Sequence, residues 1–172
     1  MATLSDLQAA FGNVAMLLSN LESHVATNLE LLISQDCPLA GGLLVDHMTL
    51  SQRVQRTKDL AKLRFGHDHA MRDRICELMK EVDKVREQRN DFVHGLWSVD
   101  RLIYGELTCH DFKWRLASES HWQRADAEQW TLARFDSFAT VISAISGKLM
   151  VLNGELQTAK MLPHTPPISS PD

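Results

Sequence analysis

Arg89, Asn90 and His94 fall within the run Arg89-Asn90-Asp91-Phe92-Val93-His94-Gly95, which holds the side chains needed to grip a phosphate and move a proton beside it. A guanidinium keeps its charge and offers a planar fork of donors that matches two phosphate oxygens. An imidazole titrates near neutral pH and can take or give a proton. The Asn90 amide can orient either partner by hydrogen bonds. The setting sharpens this chemistry. Ile75, Leu78, Val82, Val85, Phe92 and Leu96 recur at three-four spacing, as the buried stripe of a helix does, and Arg89 fills the vacancy in that series. At about 100° per residue Arg89 lies near the centre of the stripe, with Asn90 and His94 about 40° apart on one flank. A cation placed there must face a carboxylate, carbonyls, water or a bound anion. A carboxylate from another helix, with Glu22, Glu30 and Asp136 as candidates, would make Arg89 a pin that sets helix register. His94 taken alone reads as a helix-end residue whose positive form suits the macrodipole.

The elements that must position these residues are legible from periodicity and punctuation. Ser5-Asp6-Leu7-Gln8 reads as a capping box, opening a helix with the stripe Leu7, Phe11, Val14, Leu18, Leu21, Val25, Leu29 and Leu32. That helix stops before Pro38, and Ala40-Gly41-Gly42 loosens the chain ahead of a short apolar turn, Leu43-Leu44-Val45. Thr49-Leu50-Ser51-Gln52 forms a second capping box, for a helix running to about Phe65 and ended by Gly66. Asp68 caps the next helix, which carries the motif as far as His94. Strand formers from Leu102 to Thr108, then the alternation of Phe112, Trp114 and Leu116, predict a hairpin turning near His110-Asp111. Asp126-Ala127-Glu128-Gln129 opens a last long helix with the stripe Phe135, Phe138, Ile142, Ile145, Leu149 and Leu152. Three long helices and a shorter one, each with one apolar face, can bury those faces against each other. The expected fold is therefore all-α, an antiparallel four-helix bundle with a small β-hairpin insertion at about 98–118, between the last two long helices. Residues 1–160 are expected to form one domain, and 161–172, rich in proline and without periodicity, a flexible tail.

Composition removes several function classes. Eighteen basic against twenty-two acidic residues in 172 give a net charge of -4, which disfavours sequence-blind coating of a polyanion but permits a local phosphate site. Cys37, Cys76 and Cys109 are odd in number and widely spaced, as reduced thiols are. The start lacks the pattern of a signal peptide and no apolar run approaches the ~20 residues of a membrane span, so a cytoplasmic protein with no membrane association is expected. His67-Asp68-His69 and Cys109-His110-Asp111 lack the paired spacing of a zinc site, and neither metal nor cofactor is expected. Glycine-rich phosphate loops, nucleophile elbows and acid pairs are absent from the sequence. Trp114, Trp122 and Trp130 read as packing residues before base-stacking ones. Arg53, Arg56, Lys58, Lys62 and Arg64 spread around their helix as a solvated face.

The pattern Arg89-Asn90-x-x-x-His94, near the end of a long helix in such a bundle, resembles the motif of the HEPN (higher eukaryotes and prokaryotes nucleotide-binding) domain. In that family an Arg, usually followed by a polar residue, precedes a His by four to six intervening positions; four intervene here. The resemblance spans about Ser5 to Leu152. It implies a metal-independent endoribonuclease working as a homodimer with the motif helices of two copies facing each other, in the setting of toxins and defence effectors held by an antitoxin or regulatory protein. It also implies the reaction, in which a ribose 2′-hydroxyl attacks the adjacent phosphate of RNA and leaves a 2′,3′-cyclic phosphate. His94 would handle protons, Arg89 the charge growing on phosphorus, and Asn90 the orientation of either. Arg86 and Lys84 would extend the grip along the RNA backbone, and Glu87 or Asp91 would offset repulsion between two facing arginines. One subgroup carries a Tyr two positions after the His as an acceptor for nucleotide transfer; Leu96 stands there in this chain, and Trp97 is one place too far. The alternative reading is a non-catalytic helical binding module that recognises nucleotide phosphate, RNA or a protein partner.

Overall fold

The computed structural model describes residues 2–33, 38–99, 101–110, 114–118, 121–124 and 128–161, with 38–40, 91, 110, 114–118, 121–124, 160 and 161 described in backbone only. The fold is mostly helical with a small antiparallel sheet. Helices α1 (Leu4–Ile33), α2 (Pro38–Val45), α3 (Leu50–Arg64) and α4 (His69–His94) precede strands β1 (Leu96–Ser98), β2 (Glu106–His110), β3 (Trp114–Ser118), β4 (His121–Arg124) and β5 (Glu128–Thr131), and helix α5 (Leu132–Met161) follows.

Capping chemistry sets where the helices begin. Thr49 and Gln52 close the expected box at α3, each side chain bonded to the other's backbone N–H at 3.3 and 2.8 Å. Asp68 accepts the Met71 N–H at 3.0 Å and so opens α4. At α1 the box lies two residues earlier than expected. Thr3 Oγ1 accepts the Asp6 N–H at 3.2 Å while Asp6 Oδ2 accepts the Thr3 N–H at 2.8 Å, so Thr3 rather than Ser5 is the cap. Gly41 and Gly42 lie inside α2 rather than loosening a loop, because Pro38 stands at its first position, where a missing N–H costs nothing.

The stripes read from the sequence are buried as expected in α1, α4 and α5, apart from Phe11, which is half-buried, and Leu96, which leaves the helix for β1 and is 54% exposed. Helix α1 packs on α5, α3 and α2, and α4 packs on α3 and α5, so α1 and α4 face each other across the core. Two ion pairs, Arg74 with Glu155 and Lys148 with Glu81, fix α4 and α5 as antiparallel, since the position on α4 rises as that on α5 falls. By length and composition alone α5 could cross a membrane, contrary to the sequence expectation that no segment could. Its apolar residues Phe135, Phe138, Ile142, Ile145, Leu149 and Leu152 are spent on the core.

The strand region differs from the expected hairpin. Strand β2 pairs antiparallel with β1 on one side and β5 on the other, whereas β3 pairs with β4. The reason is burial. Leu107 and Cys109 share one face of β2, and the register sets Trp130 opposite Leu107 and Trp97 opposite Cys109, so one face of the sheet carries two indoles. Pairing with β5 also means that Glu128-Gln129 is strand, not the opening of α5. Thr131 takes over as cap, its hydroxyl accepting the Arg134 N–H at 3.2 Å. The expected turn at His110-Asp111, the residues Asp126 and Ala127, and the tail beyond Met161 lie outside the described residues or side chains.

Phe92 is the hub of this packing. Its ring meets Phe11 at 4.5 Å, Trp97 at 5.3 Å, Trp130 at 5.7 Å and both Phe135 and Phe138 at 6.4 Å between centroids. Truncation there leaves a cavity bordered by rigid rings that collapse poorly, so Phe92→Ala should cost about 4 kcal/mol in denaturant unfolding. At the other end of the energy scale, the Asp6 carboxyl is held below its ordinary range, first by the Thr3 backbone N–H and then by the Thr3 hydroxyl. Because the folded value lies below the unfolded one, the box contributes fully above the unfolded carboxylate range and is lost as pH falls through the folded value. Amide exchange at Asp6 and Leu7 should quicken across that acid window, and Asp6→Asn should flatten the dependence.

Candidate functional site: the C-terminal turns of α4

The motif occupies the last two turns of α4, and the aromatic hub holds them in place. The Trp97 indole donates to the Phe92 carbonyl at 2.9 Å, supplying a partner to one of the carbonyls that the end of a helix leaves open. Helix end, strand β1 and core are thereby tied at one point, with Arg89 one turn before the tie and His94 just after it.

Arg89 lies between the buried side chains of Val85 and Phe92, as the stripe predicts, yet keeps 26% of its side chain exposed. Its Nε donates to Glu22 Oε1 on α1 at 2.8 Å, and its Nη1 donates to Asn90 Oδ1 at 3.3 Å. Among the described residues Nη2 donates to nothing. Of the three acids named as possible partners, Glu22 is the one used, and it is itself 27% exposed. Asn90 therefore attends to the arginine rather than to the imidazole. His94 is exposed and makes no side-chain hydrogen bond among the described residues. Arg86 donates to Asp83 at 3.1 Å, and the same carboxylate takes Lys58 Nζ from α3 at 2.6 Å. Lys84 and Glu87 are exposed, and the side chain of Asp91 lies outside the described ones. Sequence reasoning placed Lys58 on a solvated face and missed Asp83. The three-residue offset from Asp83 to Arg86 was the available signal.

Charges around the motif are thus largely compensated. Arg89 and Glu22 cancel, whereas Lys58 and Arg86 share one acid and leave a surplus positive charge beside the exposed Lys84. This suits a single phosphate group better than a long polyanion.

The remaining candidates lie elsewhere or outside the described residues and side chains. No group of three or more His, Cys, Asp or Glu side chains among the described residues could hold a metal ion. Trp130 is buried in the core, and the side chains of Trp114 and Trp122 lie outside the described ones. A cavity of about 290 Å³ opens on the α5 side of α4, lined by Gln88, Phe92, Trp130, Arg134, Ser137 and Phe138 among others. The Arg134 guanidinium lies over the Trp130 ring at 4.4 Å and pairs with Glu128 at 2.6 Å. Neither Arg89 nor His94 lines this cavity.

Comparison with protein-family models, with curated proteins and with solved structures gives no match.

An ion pair this open to water is weak. A double-mutant cycle on Arg89→Ala and Glu22→Ala should give a coupling of about 1 kcal/mol or less in denaturant unfolding. A coupling of about 3 kcal/mol would mark the pair as a buried structural lock.

Proposed function

We propose that the chain is a HEPN-type, metal-independent endoribonuclease, built on an antiparallel four-helix bundle of α1, α3, α4 and α5, with Arg89, Asn90 and His94 at its active site. The observation that carries the reading is the condition of the motif. A cation at the centre of an apolar stripe stays within reach of solvent with Nη2 uncommitted among the described residues, and an imidazole without a described partner stands just past it on the same helix.

The chemistry follows from those groups. RNA enters with one phosphate against the Nη edge of Arg89 and the adjacent ribose towards His94. The imidazole removes the 2′-hydroxyl proton as the oxygen attacks phosphorus. Extra negative charge then gathers on the non-bridging oxygens, where a fixed guanidinium counts most. The bond to the 5′ oxygen breaks, that oxygen takes a proton, and a 2′,3′-cyclic phosphate remains. A homodimer with facing motif helices supplies the proton to the leaving oxygen from the second copy's imidazole. Lys84 and Arg86 steer the flanking backbone, and toxin or defence work in the cytoplasm, under the control of an antitoxin or other regulatory protein, is the setting this chemistry suits.

The Glu22 contact favours a second reading. An arginine already holding a carboxylate can serve as a register pin in a non-catalytic module that binds nucleotide phosphate, RNA or a protein through the same turns. Incubating the purified protein with single-stranded RNA in the presence of a chelator separates the two. The enzyme reading expects fragments with 2′,3′-cyclic phosphate ends and a loss of at least about 100-fold in rate for His94→Ala, with the fold and RNA affinity retained. Equal product formation by a well-purified His94→Ala protein would sink it, and RNA binding without cleavage by the wild type would select the binding module.

A further inference from the structure

The way in which Glu22 holds Arg89 decides whether that acid obstructs the site or builds it. A guanidinium presents two faces to a planar anion, one along Nε and one across the two terminal nitrogens. A carboxylate that took the terminal face would occupy the place of a phosphate. Glu22 does not take it. Among the described residues its one hydrogen bond joins Oε1 to Nε, at the root of the fork, while Asn90 takes a single Nη1 proton and Nη2 is left without a described partner.

The acid is also well anchored. Glu22 follows Leu21 on α1 and lies one turn from Leu18 and Val25, all three buried, so its own reach is set by a rigid element. Arg89 is carried by α4, which faces α1 across the core. The two helices that meet at the Phe11–Phe92 stack therefore also fix the root of one long side chain. An arginine arm has several rotatable bonds, and an unheld one would have to be ordered each time a phosphate arrived. Held at Nε, the fork is ordered in advance, with Nη2 left without a described partner.

We infer that Glu22 is a positioning residue for the phosphate grip, acting through Arg89, with the RNA backbone phosphate as the group received. This rests on the ribonuclease reading of the same turns. It also explains how a cation can sit at stripe centre without an unpaired charge, since the acid neutralises it while Nη2 keeps no described partner. The attraction that brings RNA in then comes from Lys84 and from the surplus charge of Lys58 and Arg86 over Asp83.

The test uses the full chain and a labelled mixed-sequence single-stranded RNA, with Glu22→Ala and Glu22→Gln compared with wild type in cleavage rate, RNA affinity and unfolding. Glu22→Ala frees the fork and should lower kcat about tenfold with a smaller change in KM, because a misplaced cation matters most as charge builds on phosphorus. Glu22→Gln keeps an oxygen for Nε and should stay within about twofold of wild type. That rescue distinguishes positioning from mere support, for a structural ion pair would lose stability in both variants and leave the turnover of folded protein unchanged. Should Glu22→Ala bind or cleave RNA as well as wild type or better, the acid is a bystander or a competitor and the inference falls while the ribonuclease reading stands. A wild-type protein that neither binds nor cleaves the RNA removes both together.

Discussion

One ring, Phe92, has to be satisfied before any other part of the described fold can be placed. It stands on α4 yet contacts side chains of α1, β1, β5 and α5, so the rotation of α4, the seat of the sheet and the start of the last helix are solved together. Aromatic rings pack edge to face or offset, and with few compatible geometries they specify an arrangement more sharply than aliphatic side chains of similar area. The Trp97 indole adds a directional tie to the Phe92 carbonyl. Arg89 is three residues before this hub and His94 two after it. The motif is thus held on a part of the structure with little freedom to turn, as a site that must present a cation at one angle requires.

How much of this was legible in the sequence divides by the range of the forces involved. Helix existence followed from three-four periodicity, and the buried faces of α1, α4 and α5 were legible almost residue by residue because burial of a stripe is a local consequence of spacing. Caps were legible only where one candidate stood alone. Thr49 and Asp68 had no rivals, but before α1 both Thr3 and Ser5 offered a hydroxyl three residues ahead of a polar side chain, and the backbone chose the earlier. Strand pairing was not legible. Alternation marks a segment as strand without naming its partner, and β2 took β1 and β5 because Trp97 and Trp130 could then cover Cys109 and Leu107 from both sides. The same pairing converted Glu128-Gln129 from an apparent helix start into sheet, a long-range event that no local signal reports.

The candidate site was legible in type and less so in detail. The misplaced charge pointed to Arg89, and three acids were left open as partners; only the relative rotation of α1 and α4 selects Glu22, and that rotation is set by packing at the hub. Asn90 was expected to orient either the imidazole or a phosphate, and in the structure its amide oxygen accepts from the adjacent guanidinium. Lys58 was hidden by its surroundings. Amid five basic residues on α3 nothing local distinguished the one that would meet Asp83.

The same ion pair bears on why a cation stands at position 89 at all. A well-packed leucine or methionine between Val85 and Phe92 would add apolar burial, and replacing a charged pair by such residues is often neutral or stabilising. A pair with about a quarter of each side chain in water returns little stability. Stability is therefore a poor reason for Arg89, which leaves specificity or use. As a specificity device it links α1 to α4, helices that otherwise meet across the core, and its geometry rejects a rotation of either. As a device for use it holds a fork by its root and leaves Nη2 without a described partner. The two roles do not compete, since the contact that fixes the helices is the one that aims the guanidinium. They differ in one physical respect: a register pin would function equally well with its whole side chain buried, and in this protein about a quarter of it is in water, with Nη2 donating to nothing among the described residues.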